Sequence, residues 1–479
     1  MLTLINTNRM SPPVGPIGLD YIASSLQKAG MDVEILDLCL VEKPGEVMTE
    51  YFSGRSPELV GVTFRNSDDC FWPSADWFVP DFKEILTRIR SLTDAPVVIG
   101  GVGFSIFPEA IFDYVDVDFG ICGDGEDAIA ALVRQLRSER KFSDVPGLLW
   151  RQNGKVYRNS PSWPEQLSLK TPRNFVDNPA YFKRGGQCGL ETKRGCNRNC
   201  LYCADPQAKG NTLRLRNPSE IADEVESLLA RGIDVLHICD SEFNLSRDHA
   251  YQICKEFNAR SLGEKLRWYT YMSPVPFDSE LAGAMAKAGC VGIDFTGDSA
   301  CESMLKAYQQ HHSRDDLADG VKYCRENNMA VMIDLLLGGP GETKQTVTQT
   351  IDFIKQINPD CAGAALGMRV YPQTAMEELV AKESGQGKDN LRRKYSGPVN
   401  LLRPTFYMSE ALGEKPAELV KDLIAGDKRF FEPLSETEFN SAKDGQATDY
   451  NYNENTMLTD AIEAGARGAY WHILQQLRN

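Results

Sequence analysis

Short apolar runs separated by helix-like stretches occur in two successive series along this chain, and that rhythm leaves few architectures open. In residues 1–140 the runs are "LTLIN", "DVEILDL", "LVGVTF", "APVVIG" and "VDFGICG", with stretches such as "IGLDYIASSLQKAG" and "DFKEILTRIRSL" between them. Strands that are apolar throughout are buried on both faces, and alternation with helices makes the sheet parallel. Glycine follows these strands at Gly100, Gly101 and Gly103, and again at Gly123 and Gly125. Ligands of open α/β sheets bind beyond the carboxyl ends of strands, where glycine lets backbone approach closely. Tight turns also use glycine, but two such clusters in one small sheet favour a cofactor.

The second series spans residues 187–375: "GLETKRG", "VLHICD", "RWYTYM", "VGIDFTG", "AVMIDLLLGG" and "GAALGMRV". Six β/α units predict a parallel, partly closed (β/α)6 barrel with its chemistry at the carboxyl ends of the strands. The expected organisation is a Rossmann-like sheet domain (1–143), a linker with a β-hairpin turning at Asn153-Gly154 (144–186), the barrel (187–375), and a mostly helical region (376–479). In the last region Tyr450, Tyr452, Tyr470 and Trp471 are either core residues or cover a substrate.

A formal net charge of −15 gives no basic surface for nucleic acid or anionic lipid. No apolar run nears the ~18 residues of a membrane span, and the first residues do not read as a signal peptide. A cytoplasmic protein is expected. The 13 cysteines are an odd number and mostly isolated, as Cys39, Cys122 and Cys290 are. This is not a disulfide framework.

One group differs. "RGCNRNCLYC" spaces Cys196, Cys200 and Cys203 as C-x3-C-x2-C in the loop after the first barrel strand. Three thiolates suit zinc with a distant fourth ligand or an iron–sulfur cluster; zinc knuckles favour paired C-x2–4-C units. In a [4Fe-4S] cluster, three protein ligands leave one iron open to a small molecule.

C-x3-C-x-aromatic-C after the first strand of such a barrel resembles the radical SAM superfamily, with Tyr202 as the aromatic. The resemblance implies that S-adenosylmethionine (SAM) chelates the open iron and is cleaved there, usually to a 5′-deoxyadenosyl radical. It also implies SAM contacts from Glu242 (to the methionine ammonium), from Thr296, Asp298 and Ser299, and from Gly338 and Gly339 beside the adenine. Asp240 and Ser241 stand where the superfamily carries glycines. Asp298 and Ser299 also suit a helix N-cap.

The N-terminal series resembles the cobalamin-binding domain of B12-dependent radical SAM enzymes. The resemblance puts Thr63, Arg65, Asn66, Gly100, Gly101, Gly103, Gly123, Gly125 and Glu126 at the corrin, facing the cluster across the domain interface. The first histidine in the chain is His237, so this domain has no imidazole for cobalt. Arg65 beneath cobalt has no lone pair to donate; alternatively Trp72 covers that face, or Arg65 pairs with Asp68 or Asp69.

The activity implied is methyl transfer from SAM, by way of methylcobalamin, to an unactivated carbon or phosphorus of a small molecule or peptide. A reductase or flavodoxin-type protein would supply electrons, and no nucleic acid or membrane partner is expected. Two other readings remain open at this level: a cobalamin-dependent cyclisation or rearrangement, and a non-catalytic SAM or corrinoid sensor.

Overall fold

The computed structural model describes residues 1–387, 389–441 and 451–478. The first series forms one sheet of β1 (Leu2–Asn6), β2 (Val33–Asp37), β3 (Leu59–Thr63), β4 (Val97–Gly100), β5 (Phe119–Ile121), β6 (Leu148–Gln152) and β7 (Lys155–Arg158), in the order β2-β1-β3-β4-β5-β6-β7. The first five strands are parallel. Helices Ile17–Lys28 and Glu126–Leu136 bury Leu19, Leu26, Ile129 and Leu132 against Leu4 and Val98. Helix Val79–Arg90 packs Phe82 and Leu86 on the opposite face. Burial on both faces is why these strands carry no polar alternation.

The hairpin expected within a linker is part of this sheet. β6 pairs antiparallel with β5 and buries Leu148, Leu149 and Trp150. β5 is only three residues long, and the hairpin covers an edge that would otherwise be open to pairing.

The second series supplies β8 (Cys188–Leu190), the short pair β9 (Lys193–Arg194) and β10 (Arg214–Leu215), then β11 (Val235–Ile238), β12 (Arg267–Met272), β13 (Cys290–Asp298), β14 (Ala330–Leu337) and β15 (Cys361–Leu366). β8, β11, β12, β13, β14 and β15 are parallel neighbours in chain order, the arrangement of an open (β/α)6 barrel. Outward residues such as Leu236, Trp268, Ile293 and Ile333 meet the surrounding helices in the largest core cluster. Among the described residues no helix is long and apolar enough to cross a membrane.

The region after residue 375 contains helices but also strands that the sequence did not announce. β17 (Leu391–Arg393) and β18 (Thr405–Tyr407) form a small antiparallel sheet with β16 (Met368–Arg369), the end of the last barrel run, and β19 (Phe430–Phe431) joins the barrel beside β15. Trp471, Leu458 and Ile462 close the lower barrel interior against Val235, Tyr269 and Met332. Tyr470 stacks edge-on with Tyr452 at 5.5 Å. These aromatics are core residues, and Tyr450 lies outside the described residues.

Buried ion pairs fix the two sheets against each other. Arg173 donates to Asp20 of the first domain at 3.0 Å and to Glu224 of the barrel at 2.7 Å. Arg194, on β9, forks onto Glu126 at 2.8 and 3.0 Å and reaches Asp124 at 3.2 Å. The residue that opens the cysteine loop is thereby tied to the glycine-rich end of the N-terminal sheet.

Candidate active site

Gly195 starts the cysteine loop with φ +84°, and a Cβ there would lie 2.0 Å from the Thr212 carbonyl. Only glycine fits such a left-handed, crowded position. The loop is held by backbone bonds: Cys196 N–H donates to Gly210 at 3.1 Å and Leu201 N–H to Tyr308 at 3.0 Å. Burial pushes all three thiols up; Cys203 also feels Cys200 and Cys196, and Cys200 feels Cys196. A bound metal reverses such shifts, because coordinating thiols are deprotonated outright. Among the described residues no three His, Cys, Asp or Glu side chains gather closely enough for a single metal ion. The charges of these thiols act on one another, as neighbouring ligands of one cluster would.

Beside the loop, Glu242 sits at φ +63°. One carboxylate oxygen accepts from the Thr296 hydroxyl at 2.7 Å, and the other is buried with no partner. Burial, resisted by Thr296 and Lys193, raises its pKa to about 7. An orphaned acceptor next to Cys196 and Cys200 fits the ammonium of a cluster-bound ligand. Asp240 accepts from Thr192 N–H at 2.7 Å and Lys193 N–H at 3.3 Å; it braces the strand that carries the loop.

The other SAM candidates divide. Tyr202 donates to Asp298 at 2.7 Å, and Gln310 donates to the same carboxylate oxygen. Ser299 is fully buried and bonded to Thr350 at 2.9 Å and to Cys301 N–H at 3.1 Å, so its hydroxyl serves a turn. The Gly338 N–H donates to Glu342 at 2.7 Å and the Gly339 N–H to Tyr308 at 3.1 Å. Neither amide is free for an adenine.

In the N-terminal domain a cavity of about 270 Å³ opens at the carboxyl ends of the strands, lined by Thr63, Arg65, Gly100, Gly101, Gly123 and Glu126. Gly125 lies on the same wall, whereas Gly103 packs behind it against the Arg65–Asn66 backbone. Gly101, at φ +103°, could carry no Cβ, because the Phe64 carbonyl would be 2.6 Å away. The cavity descends between sheet and helices along Leu4, Leu19, Ile22, Gly61, Val98 and Ile129. This apolar slot fits the flat nucleotide base of a corrinoid tail released from cobalt.

Arg65 does not pair with Asp68 or Asp69. Asp68 is taken by Arg369, 301 residues away, at 2.9 and 3.1 Å, and Asp69 by Ser74 and Asn451. The Arg65 guanidinium meets only the Met10 sulfur, at 3.7 Å, among the described residues, and Asn66 meets the same sulfur at 3.6 Å. The charge of Arg65 also acts on Cys239 and Tyr271 of the barrel, so it faces the domain interface. Trp72 is turned away from the cavity and packs on Phe406, ring centroids 5.8 Å apart.

A base-sized apolar slot with a glycine-lined mouth and no imidazole, next to the strand that leads into a three-cysteine loop with one open acceptor, fits a protein built around cobalamin and an iron–sulfur cluster. Family models agree: residues 5–133 match the B12 binding domain and residues 190–354 the Radical SAM superfamily. The tryptophan 2-C-methyltransferase of Streptomyces laurentii is 29% identical over 98% of this chain and 95% of its own length. The radical S-adenosylmethionine methyltransferase TsrM of Kitasatospora setae, solved with tryptophan and a SAM analogue, superposes with a TM-score of 0.91 at 31% identity, covering 99% of this chain and 97% of that one. Its form with cobalamin and [4Fe-4S] cluster gives 0.89. The chain belongs to the cobalamin-dependent radical SAM methyltransferase family.

Sequence reasoning missed the apolar slot and Gly61 within it, the Arg194 clamp, and the inward-facing acids Asp294 and Asp334. An aspartate in the middle of "VGIDFTG" and of "AVMIDLLLGG" was the available signal, since buried strands rarely carry unpaired charge.

Proposed function

We propose that this enzyme methylates a carbon of tryptophan or a closely related indole amino acid. The observation that carries the reading is likeness over the whole length, not one domain, to a tryptophan 2-C-methyltransferase and to TsrM with tryptophan bound. Residues 1–143 hold the corrinoid and residues 187–375 the cluster and SAM. When bound, these groups supply methyl-group relay and electron transfer. The chain's own residues bind, orient and shield. Cys196, Cys200 and Cys203 hold the cluster. Glu242, aimed by Thr296, takes the SAM ammonium on its free oxygen, and the Tyr202–Asp298 bond fixes the loop's far side. Arg65 would present to the corrinoid a positive group with no lone pair to give cobalt. Glu126 holds Arg194 in place beneath the cysteine loop. The enzyme works in the cytoplasm with a reductase or flavodoxin-type electron donor.

The test is anaerobic incubation of reconstituted protein with methyl-labelled SAM and L-tryptophan, with the product's methyl position read by NMR. A labelled 2-methylindole product is expected. If label reaches another small molecule in a cell extract but no indole, the substrate assignment is wrong while the methyltransferase assignment stands.

A further inference from the structure

The upper barrel interior carries polar residues that, Thr296 apart, no cofactor assignment uses. Along β12 to β15, outward residues are buried, and the lower inward ones (Tyr269, Gly292, Met332, Cys361) are sealed by the C-terminal helices. One step higher the inward residues Tyr271, Thr296, Asp334 and Leu336 keep partial exposure although they face the barrel axis. The space they border opens toward Arg65, whose charge reaches Tyr271.

Asp294 and Asp334 stand in this chamber, each with a buried oxygen that has no partner among the described residues. Asp294 is 2% exposed, and its Oδ1 has no hydrogen bond; Asp334 Oδ1 is likewise buried and unpaired. On the neighbouring strands Asp294 lies beside Tyr271, and Asp334 lies between Thr296 and Gly363, the last leaving open space for want of a side chain. Among the described residues the charges acting on the two acids are carboxyls: Asp334 and Glu242 on Asp294, Asp298 and Glu242 on Asp334. Burial and this mutual repulsion push both carboxyls up, Asp334 to about 7. Buried acceptors without donors are costly to a fold, and no basic side chain relieves them. The missing element is a cation that brings its own N–H donors. No third metal-ligating side chain joins them among the described residues, so a metal ion does not fit. A primary ammonium, with three donors on one point charge, does.

We propose that Asp294 and Asp334 are specificity-determining residues that receive the substrate's primary ammonium group, restricting this enzyme to free amino acids and amines. This rests on the tryptophan reading above and deepens it. An ammonium anchored there leaves the rest of the substrate toward the chamber mouth, between Arg65 and Glu242. A peptide-linked residue, whose nitrogen is an uncharged amide, is excluded.

Binding of L-tryptophan, tryptamine and indole-3-propionate to protein carrying cluster and cobalamin tests this. Tryptamine keeps the ammonium and lacks the carboxylate; indole-3-propionate does the reverse. A charge-assisted hydrogen bond predicts that wild type prefers the two amines by about ten- to a hundredfold. Asp294→Asn and Asp334→Asn, nearly isosteric, should lose that preference while indole-3-propionate affinity and SAM affinity stay unchanged. Equal binding of indole-3-propionate to the wild type, which requires no variant to fold, overturns the proposal, as does a preference surviving in both variants. If no indole binds, the tryptophan reading fails, and phenethylamine against 3-phenylpropionate decides the carboxylate proposal alone; no ammonium preference there overturns it.

Discussion

Replacing Arg194 with Met removes the cation that joins the cysteine loop to the N-terminal domain while keeping an unbranched side chain of similar length. Arg194 is 10% exposed at its side chain and contacts Glu126 (14% exposed) at 2.8 Å and Glu191 (15%) at 2.9 Å. Asp124 retains Arg214 in the variant, whereas Glu126 and Glu191 are left without that counter-charge. Removing one partner of a buried pair costs about 3–5 kcal/mol. The residual exposure of both acids puts the expected loss near about 3 kcal/mol, roughly two orders of magnitude in the folding equilibrium. Burial already raises the Glu191 pKa, and Arg194 opposes the rise; without Arg194 it rises further. A carboxyl with a raised folded-state pKa binds more protons folded than unfolded, so its penalty is fully present above the folded pKa. It fades as pH falls toward the ordinary carboxylate value of about 4.3. Trp163, packed between the Gly123 and Gly210 positions under the Arg214 guanidinium, contributes to the fluorescence signal from this interface. Urea unfolding followed by tryptophan fluorescence at pH 8 and pH 5.5 should show the full loss at the higher pH and a smaller one at the lower. A loss below about 1 kcal/mol, as for a surface pair, or one independent of pH, would refute the reasoning.

Three further outcomes are expected. Ala at Cys196, Cys200 and Cys203 together should abolish the visible iron–sulfur absorption of reconstituted protein; a full complement of four irons per chain would remove the assignment. Glu242→Ala should weaken SAM binding by about ten- to a hundredfold with the cluster intact, and Glu242→Gln should fall between that variant and the wild type; titration of SAM against the cluster spectrum measures both. Bound Co(II) cobalamin should show no axial nitrogen splitting by electron paramagnetic resonance. Because Arg65 meets no acidic partner among the described residues, Arg65→Lys should change the cobalt spectrum, and an unchanged spectrum would take Arg65 away from the corrin.

Both parallel sheets were legible because their strands are apolar on both faces and announce themselves without context. The cysteine loop was legible because its spacing is local. What escaped depends on residues far apart in the chain. β19 is two residues long and is a strand only because β15 offers an edge. Asp68 reads as a partner for Arg65, three positions away, until Arg369 is folded against it. The side chains that fill the Cβ side of Gly338 and Gly339, Met408 and Tyr308, likewise come from elsewhere in the chain. Asp294 and Asp334 were visible as single acids in apolar strands, but which face they occupy follows only from the register of β13 and β14.

Methyl-labelled SAM supplied anaerobically to protein carrying both cofactors, with mass spectrometry of small-molecule products from cell extract, tests the central claim most directly. The account predicts that the labelled methyl appears on a carbon of a small molecule, and only when cobalamin is bound. SAM consumption with no label transferred, or transfer that persists without cobalamin, would contradict it.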